Sequence, residues 1–305
     1  MINYSHIPVM LEEVLAHFGS FDGNIYVDGT LGGGGHAKAI LEKILPGGKL
    51  VGIDCDEDGI LAFQRCLESV SCPVRTRGLK RENLVIIRDN FRHIKKIWRE
   101  LKLPLVNGVL FDLGVSSYQL KEGPRGFSFN ADYPLDMRLD QSQDVLAGYL
   151  VNHLSYDELA RIIFEYGEER FSRRIAKAIV YERSKCPVKT TGELAEIVKK
   201  AVAGRGRIHP ATRTFQALRI AVNDELKALE EGLLGALDIL AIKGRIVVLS
   251  YHSLEDRIVK NVFRNKAKEG GFSLITRKPL VPSFKEIRRN PCSRSAKMRV
   301  IERIA

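Results

Sequence analysis

Long apolar runs, paired cysteines and N-terminal positive charge are all scarce in this 305-residue chain. No apolar run approaches the roughly 20 residues that a membrane-spanning helix needs, so we expect no membrane partner. Residues 1–20 contain neither Lys nor Arg, which argues against a cationic signal or transit peptide. The five cysteines include no CxxC pair, so we assign no metal ligands and no disulfide framework. These absences predict a protein of the reducing cytoplasm.

Positive charge, in contrast, is abundant and unevenly distributed. The chain carries a net charge of +11. Two stretches, 170–213 and 264–303, each contain 12 basic and 3 acidic residues, so the rest of the chain is net acidic. Solvated helix faces would produce part of this pattern. Segregation on this scale nevertheless favours a polyanionic partner such as nucleic acid.

Short apolar runs rich in Val, Ile and Leu alternate with helical patterns over the first 114 residues. Such runs, bounded by Gly, Asp or Asn, are typical of buried strands in a parallel sheet covered by helices on both faces. A fifth run follows much later, and two terminal runs resemble a hairpin at the sheet edge. The sequence therefore predicts an α/β fold with a mostly parallel seven-stranded sheet and a terminal antiparallel hairpin. The predicted strands are IYVD (25–28), KLVGID (49–54), LVIIR (84–88), VNGVLFDLG (106–114), GRIVVLS (244–250), FSLITRK (272–278) and MRVIERI (298–304).

The interval between the fourth and fifth predicted strands is far too long for a simple crossover. It spans about 130 residues, whereas a whole strand–helix–strand unit needs only about 30. Its apolar residues recur at helical spacing, and Ser155 and Thr191 are placed to begin helices. We therefore predict an all-α domain inserted at 133–212 into a discontinuous core of 1–132 and 213–305. A single long amphipathic helix is predicted over 214–240.

The first predicted strand runs into the stretch DGTLGGGGHA, a glycine-rich turn that opens a helix. Such a turn lets a cofactor approach the backbone at a helix N-terminus. Gly32-x-Gly34-x-x-Ala37 matches a nicotinamide dinucleotide fingerprint, but the stretch also resembles the acidic-x-Gly-x-Gly loop of S-adenosylmethionine-dependent methyltransferases. The second strand ends in Asp54, which both classes would use for a ribose diol. One or two glycines would suffice for a turn without a ligand.

The third and fourth strands favour methyl transfer over hydride transfer. The stretch RDNF places Phe91 where an aromatic ring can pack on adenine, although Phe91 could also be an ordinary core residue. Asp112 opens DLGVSS after the fourth strand, where amino-methyltransferases carry a polar residue near the target amine. A dehydrogenase has no particular need for a carboxylate there. The positive charge and the inserted domain also suit a large nucleic-acid substrate.

Motifs along nearly the whole chain resemble those of one family, the bacterial 16S rRNA cytosine-N4 methyltransferases. Individual glycine loops are common, but two of these motifs, HPATRTFQALRIAVNDEL (209–226) and SYHSLEDRIVK (250–260), are highly specific. The chain departs from the family pattern at Tyr118, where a Pro is common, and at 121–124, where the family is usually more acidic. The other motifs are HIPVMLEEVL, DGTLGGGGH, GIDCD, DNFRHI, DLGVSS, RGFSF, PLDMRLD and SRSAKMRVIERI.

The resemblance implies a Rossmann-like S-adenosylmethionine-dependent methyltransferase core with an inserted helical substrate-recognition domain. It implies methylation of the exocyclic N4 of one cytidine in the decoding region of 16S rRNA. The partner would be 16S rRNA or the assembled small ribosomal subunit, and a homodimer stays open. The cofactor contacts implied by matching positions are Gly34, Gly35, His36, Asp54, Phe91, Asp112 and Gln119.

Several roles stay open at the level of the sequence. Asp112 could accept a hydrogen bond from the target amine, which makes it the candidate catalytic residue, or it could only bind the cofactor. His252 could be a structural hydrogen-bonding residue or a base, and we assign it no catalytic role. His209 and Arg213 could contact RNA phosphate or stabilise the join between the domains. A non-catalytic RNA-binding module with a retained cofactor pocket is the alternative to an enzyme, and the intact loop, Asp54 and Asp112 argue against it.

Overall fold

The computed structural model describes residues 7–19, 21, 23–68, 79–115, 125–202 and 209–305. It contains a seven-stranded sheet with strand order β3-β2-β1-β4-β5-β7-β6. The strands are β1 (Ile25–Asp28), β2 (Lys49–Asp54), β3 (Leu84–Arg88), β4 (Val106–Asp112), β5 (Leu240–Ser250), β6 (Phe272–Leu274) and β7 (Lys297–Arg303).

The sheet confirms the predicted arrangement of strands. Strands β1 to β5 pair in parallel, and β7 runs antiparallel between β5 and β6. The first three strands have the predicted bounds. Strand β5 begins at Leu240 rather than at 244, because Leu240 already pairs with Val106 before the register shifts at Gly108. The hairpin partner β6 is shorter than the predicted 272–278 and ends at Leu274.

Helices flank the sheet and build a separate bundle. Among the residues that the structure describes, no helix combines the length and apolar character needed to cross a bilayer. The helices are α1 (Leu11–Phe18), α2 (Gly35–Ile44), α3 (Glu57–Glu68), α4 (Ile94–Leu101), α5 (Ala147–His153), α6 (Tyr156–Gly167), α7 (Ser172–Arg183), α8 (Thr191–Ala201), α9 (Thr212–Asn223), α10 (Glu225–Ile239), α11 (Ser253–Glu269) and α12 (Phe284–Arg289).

The predicted long helix over 214–240 is wrong. Two helices, α9 and α10, occupy this stretch, and Asp224 between them adopts a left-handed backbone conformation with φ 49°. The amphipathic pattern continues across Asp224, so apolar spacing alone did not reveal the break. A left-handed residue ends a helix because the next turn cannot continue its hydrogen-bond ladder. The start of α6 matches the prediction, with Ser155 as its N-cap, whereas Thr190 rather than Thr191 caps α8.

The chain divides into two compact units, 1–114 with 226–305 and 115–225. The sheet lies in the first unit and helices α5 to α9 in the second. The second unit therefore starts earlier and ends later than the 133–212 expected from the sequence. The difference arises because Phe127 and Leu135 before α5, and Phe215 and Leu218 on α9, belong to the same apolar core as the bundle helices.

Two apolar layers cover the sheet of the first unit. One layer contains Phe111 and packs against α4, α10 and α11. The other contains Leu110 and packs against α1, α2 and α3. Because successive strand residues point to opposite faces, residues of even number on β1, on β2 and on β4 from Gly108 onward face the second layer. This alternation decides which polar side chains meet at the carboxyl ends of the strands.

Candidate functional site

Acidic side chains end three adjacent strands on the same face of the sheet. Asp28 ends β1, Asp54 ends β2 and Asp112 ends β4. Asp28 pairs with Gly52 on one side and Leu110 on the other, so Asp54 and Asp112 each lie two residues beyond it. The carboxyl ends of parallel strands are where ligands bind in open α/β sheets. Three carboxylates on one face at this edge therefore form the candidate site.

The glycine-rich turn that follows β1 is packed tightly by the protein itself. Gly34 caps α2 with φ 75°, and a Cβ there would lie 1.9 Å from the Phe63 ring. A Cβ on Gly35 would lie 2.8 Å from Pro8. These two glycines are therefore required by the close approach of α3 and the N-terminal segment, before any ligand is considered. This packing also fixes the direction of the first backbone N–H groups of α2.

Asp54, at the end of the neighbouring strand β2, is hydrogen-bonded to the glycine turn. Its Oδ2 accepts a hydrogen bond from the backbone N–H of Gly32 at 2.6 Å, and its Oδ1 accepts one from Asp56 at 2.8 Å. Burial raises the pKa of Asp54 to about 6, although these backbone hydrogen bonds lower it. The carboxylate is therefore ionised at neutral pH and becomes protonated in mildly acidic solution.

His36 connects the N-terminal segment with Asp112. Its Nε2 lies 3.0 Å from the carbonyl oxygen of Val9, and since a carbonyl only accepts, Nε2 carries a hydrogen. Its Nδ1 lies 3.4 Å from Oδ2 of Asp112. Burial lowers the pKa of His36, which outweighs the opposite effect of the nearby Asp28 charge. The neutral ring consequently presents Nδ1 as an acceptor beside a carboxylate, an arrangement that suits a ligand donor between them.

Asp28 is buried deeper than the other two acids and is held by the turn. Its Oδ1 accepts a hydrogen bond from the backbone N–H of Thr30 at 3.1 Å. The Thr30 hydroxyl oxygen in turn accepts from the backbone N–H of Asp112 at 2.7 Å. Burial raises the pKa of Asp28 to about 6, and the charge of Asp112 also raises it. Asp28 and Thr30 thus join the ends of β1 and β4.

Tyr251, which the sequence analysis passed over, completes the cluster. It follows β5, and its hydroxyl donates a hydrogen bond of 2.6 Å to Oδ1 of Asp112. Burial, followed by the charge of Asp112, raises the pKa of Tyr251 well above its usual value, so the phenol stays a donor. The signal in the sequence was its place beside His252 at the end of a strand neighbouring β4. We define Asp28, His36, Asp112 and Tyr251 as the acid cluster.

One predicted cofactor contact, Phe91, packs on the opposite side of the sheet from this cluster. The Phe91 ring packs on Phe111 with centroids 5.3 Å apart, and a Cβ on Gly232 would lie 2.6 Å from it. Phe111 faces the opposite layer of the sheet from Asp112, so Phe91 is a partly buried member of that layer. Gln119 lies outside the described residues, as do Tyr118 and 121–124.

His252, His209 and Arg213, whose roles the sequence leaves open, have contacts within the protein. His252 is the N-cap of α11, where its Nδ1 accepts a hydrogen bond from the backbone N–H of Glu255. In the helical unit, the His209 ring stacks on Phe129 with centroids 4.6 Å apart. Arg213 lies 3.6 Å from Glu169 of the same unit. These contacts give all three side chains a role in local packing.

Known proteins resemble this chain along its whole length. Residues 3–304 match the model of the MraW methylase family. A protein of Dehalococcoides mccartyi named ribosomal RNA small subunit methyltransferase H is 48% identical over an alignment that spans 100% of this chain and 88% of the relative. Proteins of the same name from Brevibacillus brevis and a Geobacter species are 44% and 46% identical. These two alignments span 99% and 100% of this chain, and 99% and 100% of the relatives. The chain therefore belongs to the MraW methylase family and is a methyltransferase that uses S-adenosylmethionine.

Proposed function

We propose that this enzyme methylates the exocyclic N4 of a specific cytidine in the decoding region of 16S rRNA. The observation that carries the proposal is the carboxylate of Asp112 at the end of β4, held by the Tyr251 hydroxyl beside His36. An amine nucleophile needs an acceptor of this kind near the methyl donor. The names of the relatives, the basic stretches and the family motifs support the RNA substrate.

The acceptors at the site fit the hydrogen-bond donors of S-adenosylmethionine. The ribose of the cofactor offers two neighbouring hydroxyls, and its amino-acid end offers an ammonium group. Asp54 accepts from the backbone N–H groups of Gly32, Cys55 and Asp56 and keeps capacity for a ribose hydroxyl, because an ionised carboxylate has roughly four lone-pair sites. Asp112 and Nδ1 of His36 offer acceptors for the ammonium group. Gly34 and Gly35 contribute backbone at the start of α2.

The cofactor supplies an electrophilic methyl group on a sulfonium, and the protein residues orient the nucleophile. The cytosine amine is a poor nucleophile because its lone pair is delocalised into the ring. Asp112 would accept a hydrogen bond from this amine and stabilise the positive charge that develops on N4. When bound, the cofactor would supply the methyl group to N4, and the proton that N4 then releases would pass to water. Tyr251 would keep Asp112 in the orientation that this step requires.

We further propose that the helical unit recognises the RNA. On α7 the side chains of Arg173, Arg174 and Lys177 are exposed, whereas Ile175 and Ile179 are buried. Phosphate groups favour such an uncovered row of cations. The expected partner is 16S rRNA or the small ribosomal subunit in the cytoplasm. A homodimer would be compatible with this role but is not required by it.

Transfer of tritiated methyl groups to small subunits that lack the modification tests this proposal. The substrate is also offered as naked 16S rRNA, and mass spectrometry identifies the methylated nucleoside. N4-methylcytidine at a single position is expected, and transfer by Asp112→Asn at the same enzyme concentration should be about 10²–10³-fold slower. Methylation of another base, or of carbon 5 or oxygen 2′ of cytidine, would refute the assignment while leaving the enzyme a methyltransferase.

A further inference from the structure

We propose that the surface around α12 binds the unpaired RNA next to the target nucleotide, with Phe284 stacking on one base. This inference rests on the proposed function, because it assumes that the substrate is RNA. The surface, called here the α12 surface, consists of exposed side chains between 277 and 294. Its members are the cations Arg277, Lys278, Lys285, Arg288, Arg289 and Arg294 and the apolar residues Leu280, Val281 and Phe284.

Among the residues that the structure describes, no acidic side chain neutralises the cations of the α12 surface. Glu286 is the single acid between 277 and 294, and its Oε1 accepts a hydrogen bond of 2.6 Å from the backbone N–H of Met10. Within the described ranges, none of the six cations has a carboxylate within salt-bridge distance. Elsewhere in the same unit, Lys266 is paired with Glu269 and Arg88 with Glu57. Unpaired cations concentrated in this way attract phosphate groups.

Phe284 gives this charged surface an aromatic platform. Its side chain is 76% exposed, the highest value for a large apolar side chain in the described part of the chain. Val281 beside it is 63% exposed. Single exposed apolar residues are ordinary, but an exposed ring between unpaired cations matches what proteins use to bind single-stranded nucleic acid. A base-paired duplex would leave the ring without a free base, so the surface suits unpaired RNA.

The α12 surface is held rigidly, which reduces the entropy lost when a ligand binds. Leu280 exchanges two backbone hydrogen bonds with Met298 of β7, at 2.9 and 2.8 Å. The Ser283 hydroxyl caps α12 by accepting from the backbone N–H of Glu286. The Asn290 side chain donates to the carbonyl oxygen of Ile7 at 2.9 Å. Phe284 therefore extends from a fixed support.

Helix α12 is connected with the acid cluster through the backbone of the N-terminal segment. Glu286 binds the backbone of Met10, and the preceding residue, Val9, binds His36. His36 lies 3.4 Å from Asp112, the residue proposed to face the target amine. The surface thus lies next to the reacting centre within one unit of the protein. An RNA nucleotide whose base reaches Asp112 would bring its neighbours close to Phe284.

Three variants of the full-length enzyme test the inference in methyl transfer to small subunits that lack the modification. Phe284→Ala removes the ring, Phe284→Trp keeps a stacking surface, and Arg288→Glu with Arg289→Glu reverses two charges. The matched control is Lys96→Glu with Arg99→Glu on α4, which makes the same change in net charge at two exposed positions on the other face of the sheet. Calorimetry with S-adenosylhomocysteine follows cofactor binding in every variant.

We expect Phe284→Ala to raise KM for the subunit about tenfold, the scale of one lost stacking contact. Phe284→Trp should restore the wild-type value, and cofactor affinity should stay unchanged throughout. The double reversal on α12 should also flatten the salt dependence of RNA binding by about 1.4 in log–log slope, as expected for two phosphate contacts on a single strand. The control pair should alter neither quantity by more than twofold.

The outcomes separate this inference from the proposed function. If the wild-type enzyme methylates no cytidine of 16S rRNA, the proposed function fails. If the wild type is active and the α12 variants behave like the control pair, the function stands and the inference is overturned. Equal effects of Phe284→Ala and Phe284→Trp would also overturn it, because stacking would then play no part. If duplex RNA competes with the subunit for this surface and unpaired RNA does not, the surface binds duplex RNA and the proposal is contradicted.

Discussion

Two charged clusters, one in each unit, differ in how their acids are compensated. In the helical unit, Asp136 accepts hydrogen bonds from Nε and Nη2 of Arg138 at 2.7 and 2.8 Å, and these contacts lower its pKa despite partial burial. In the sheet unit, burial raises the pKa values of Asp28 and Asp54 to about 6. Among the described contacts of these two acids, backbone N–H groups and the Thr30 hydroxyl donate, and no Arg or Lys does.

This difference separates a structural cluster from one that keeps capacity for a ligand. The Asp136–Arg138 pair has its charges matched within the protein, and Arg138 also donates to the carbonyl oxygen of Gln143. Nearby, the Arg125 side chain donates to two further backbone carbonyls. The acids at the strand ends keep capacity for a ligand, and their raised pKa values are of the kind found at functional sites. Both clusters come from motifs that carry the family resemblance, PLDMRLD and DGTLGGGGH, so the presence of a family motif alone does not assign a role.

The largest expected effect concerns Asp112. Asp112→Asn keeps the shape of the side chain but removes its charge, so we expect the single-turnover rate at saturating cofactor to fall about 10²–10³-fold. Rapid-quench measurements give the rate, and calorimetry gives cofactor affinity on the same variant. If saturating cofactor restores most of the rate, Asp112 only binds the cofactor. If both quantities stay near wild type, Asp112 does not belong to the site.

The structural cluster should respond in stability rather than in cofactor binding. Arg138→Ala leaves the partly buried Asp136 without its cation, and we expect the helical unit to lose about 2–3 kcal/mol. Hydrogen exchange of peptides from α5 to α9 measures this loss within the intact chain. Arg174→Ala, at an exposed position on α7, is the control and should change protection by less than about 0.5 kcal/mol. A weakened cofactor affinity in Arg138→Ala would break the comparison.

Cofactor binding should depend on pH through Asp54. The raised pKa of about 6 means that the ionised acceptor is fully present above pH 7 and is lost as pH falls through 6. We expect the dissociation constant of S-adenosylhomocysteine to rise about tenfold between pH 7 and pH 5, following the ionised fraction. Asp54→Asn should bind weakly with no such slope, whereas Asp28→Asn should keep it. A slope that survives in Asp54→Asn would assign the titration to another group.

The smallest expected effect belongs to Tyr251. Tyr251→Phe removes one hydrogen bond to Asp112 without changing its charge, so we expect the methyl-transfer rate to fall about fivefold, equivalent to roughly 1 kcal/mol. Cofactor affinity should change less than twofold. In the Asp112→Asn background the same substitution should have little further effect, because its partner is already altered. Additive losses in the double variant would show that Tyr251 acts independently of Asp112.

The strands were predictable because their signal is local. The runs 25–28, 49–54 and 84–88 are short apolar stretches bounded by turn formers, and the structure forms β1, β2 and β3 over the same residues. The glycine turn and Asp54 were found for a related reason, since each follows a strand directly. The hydrogen bond from Gly32 to Asp54 then depends only on two neighbouring strands.

Contacts between distant segments could not be predicted in this way. Tyr251 meets Asp112 across 139 positions, and their meeting depends on the register between β4 and β5. The packing of Phe91 on Phe111 and Gly232 likewise depends on the position of α10. The left-handed conformation of Asp224 leaves no mark in the apolar spacing of the sequence. In each case the deciding quantity is a three-dimensional neighbour rather than a pattern along the chain.

The N-terminal segment has a consequence for protein synthesis. Met10 and Ile7 are held by Glu286 and Asn290, which follow them by 276 and 283 positions. At about 5–20 residues per second, a ribosome needs roughly 15–60 s to make the intervening chain. The carbonyl group of Val9 that orients His36 therefore reaches its final place only after nearly the whole protein has left the ribosome. A nascent chain that stalls before α12 would contain β1 to β6 but would lack the support that positions His36.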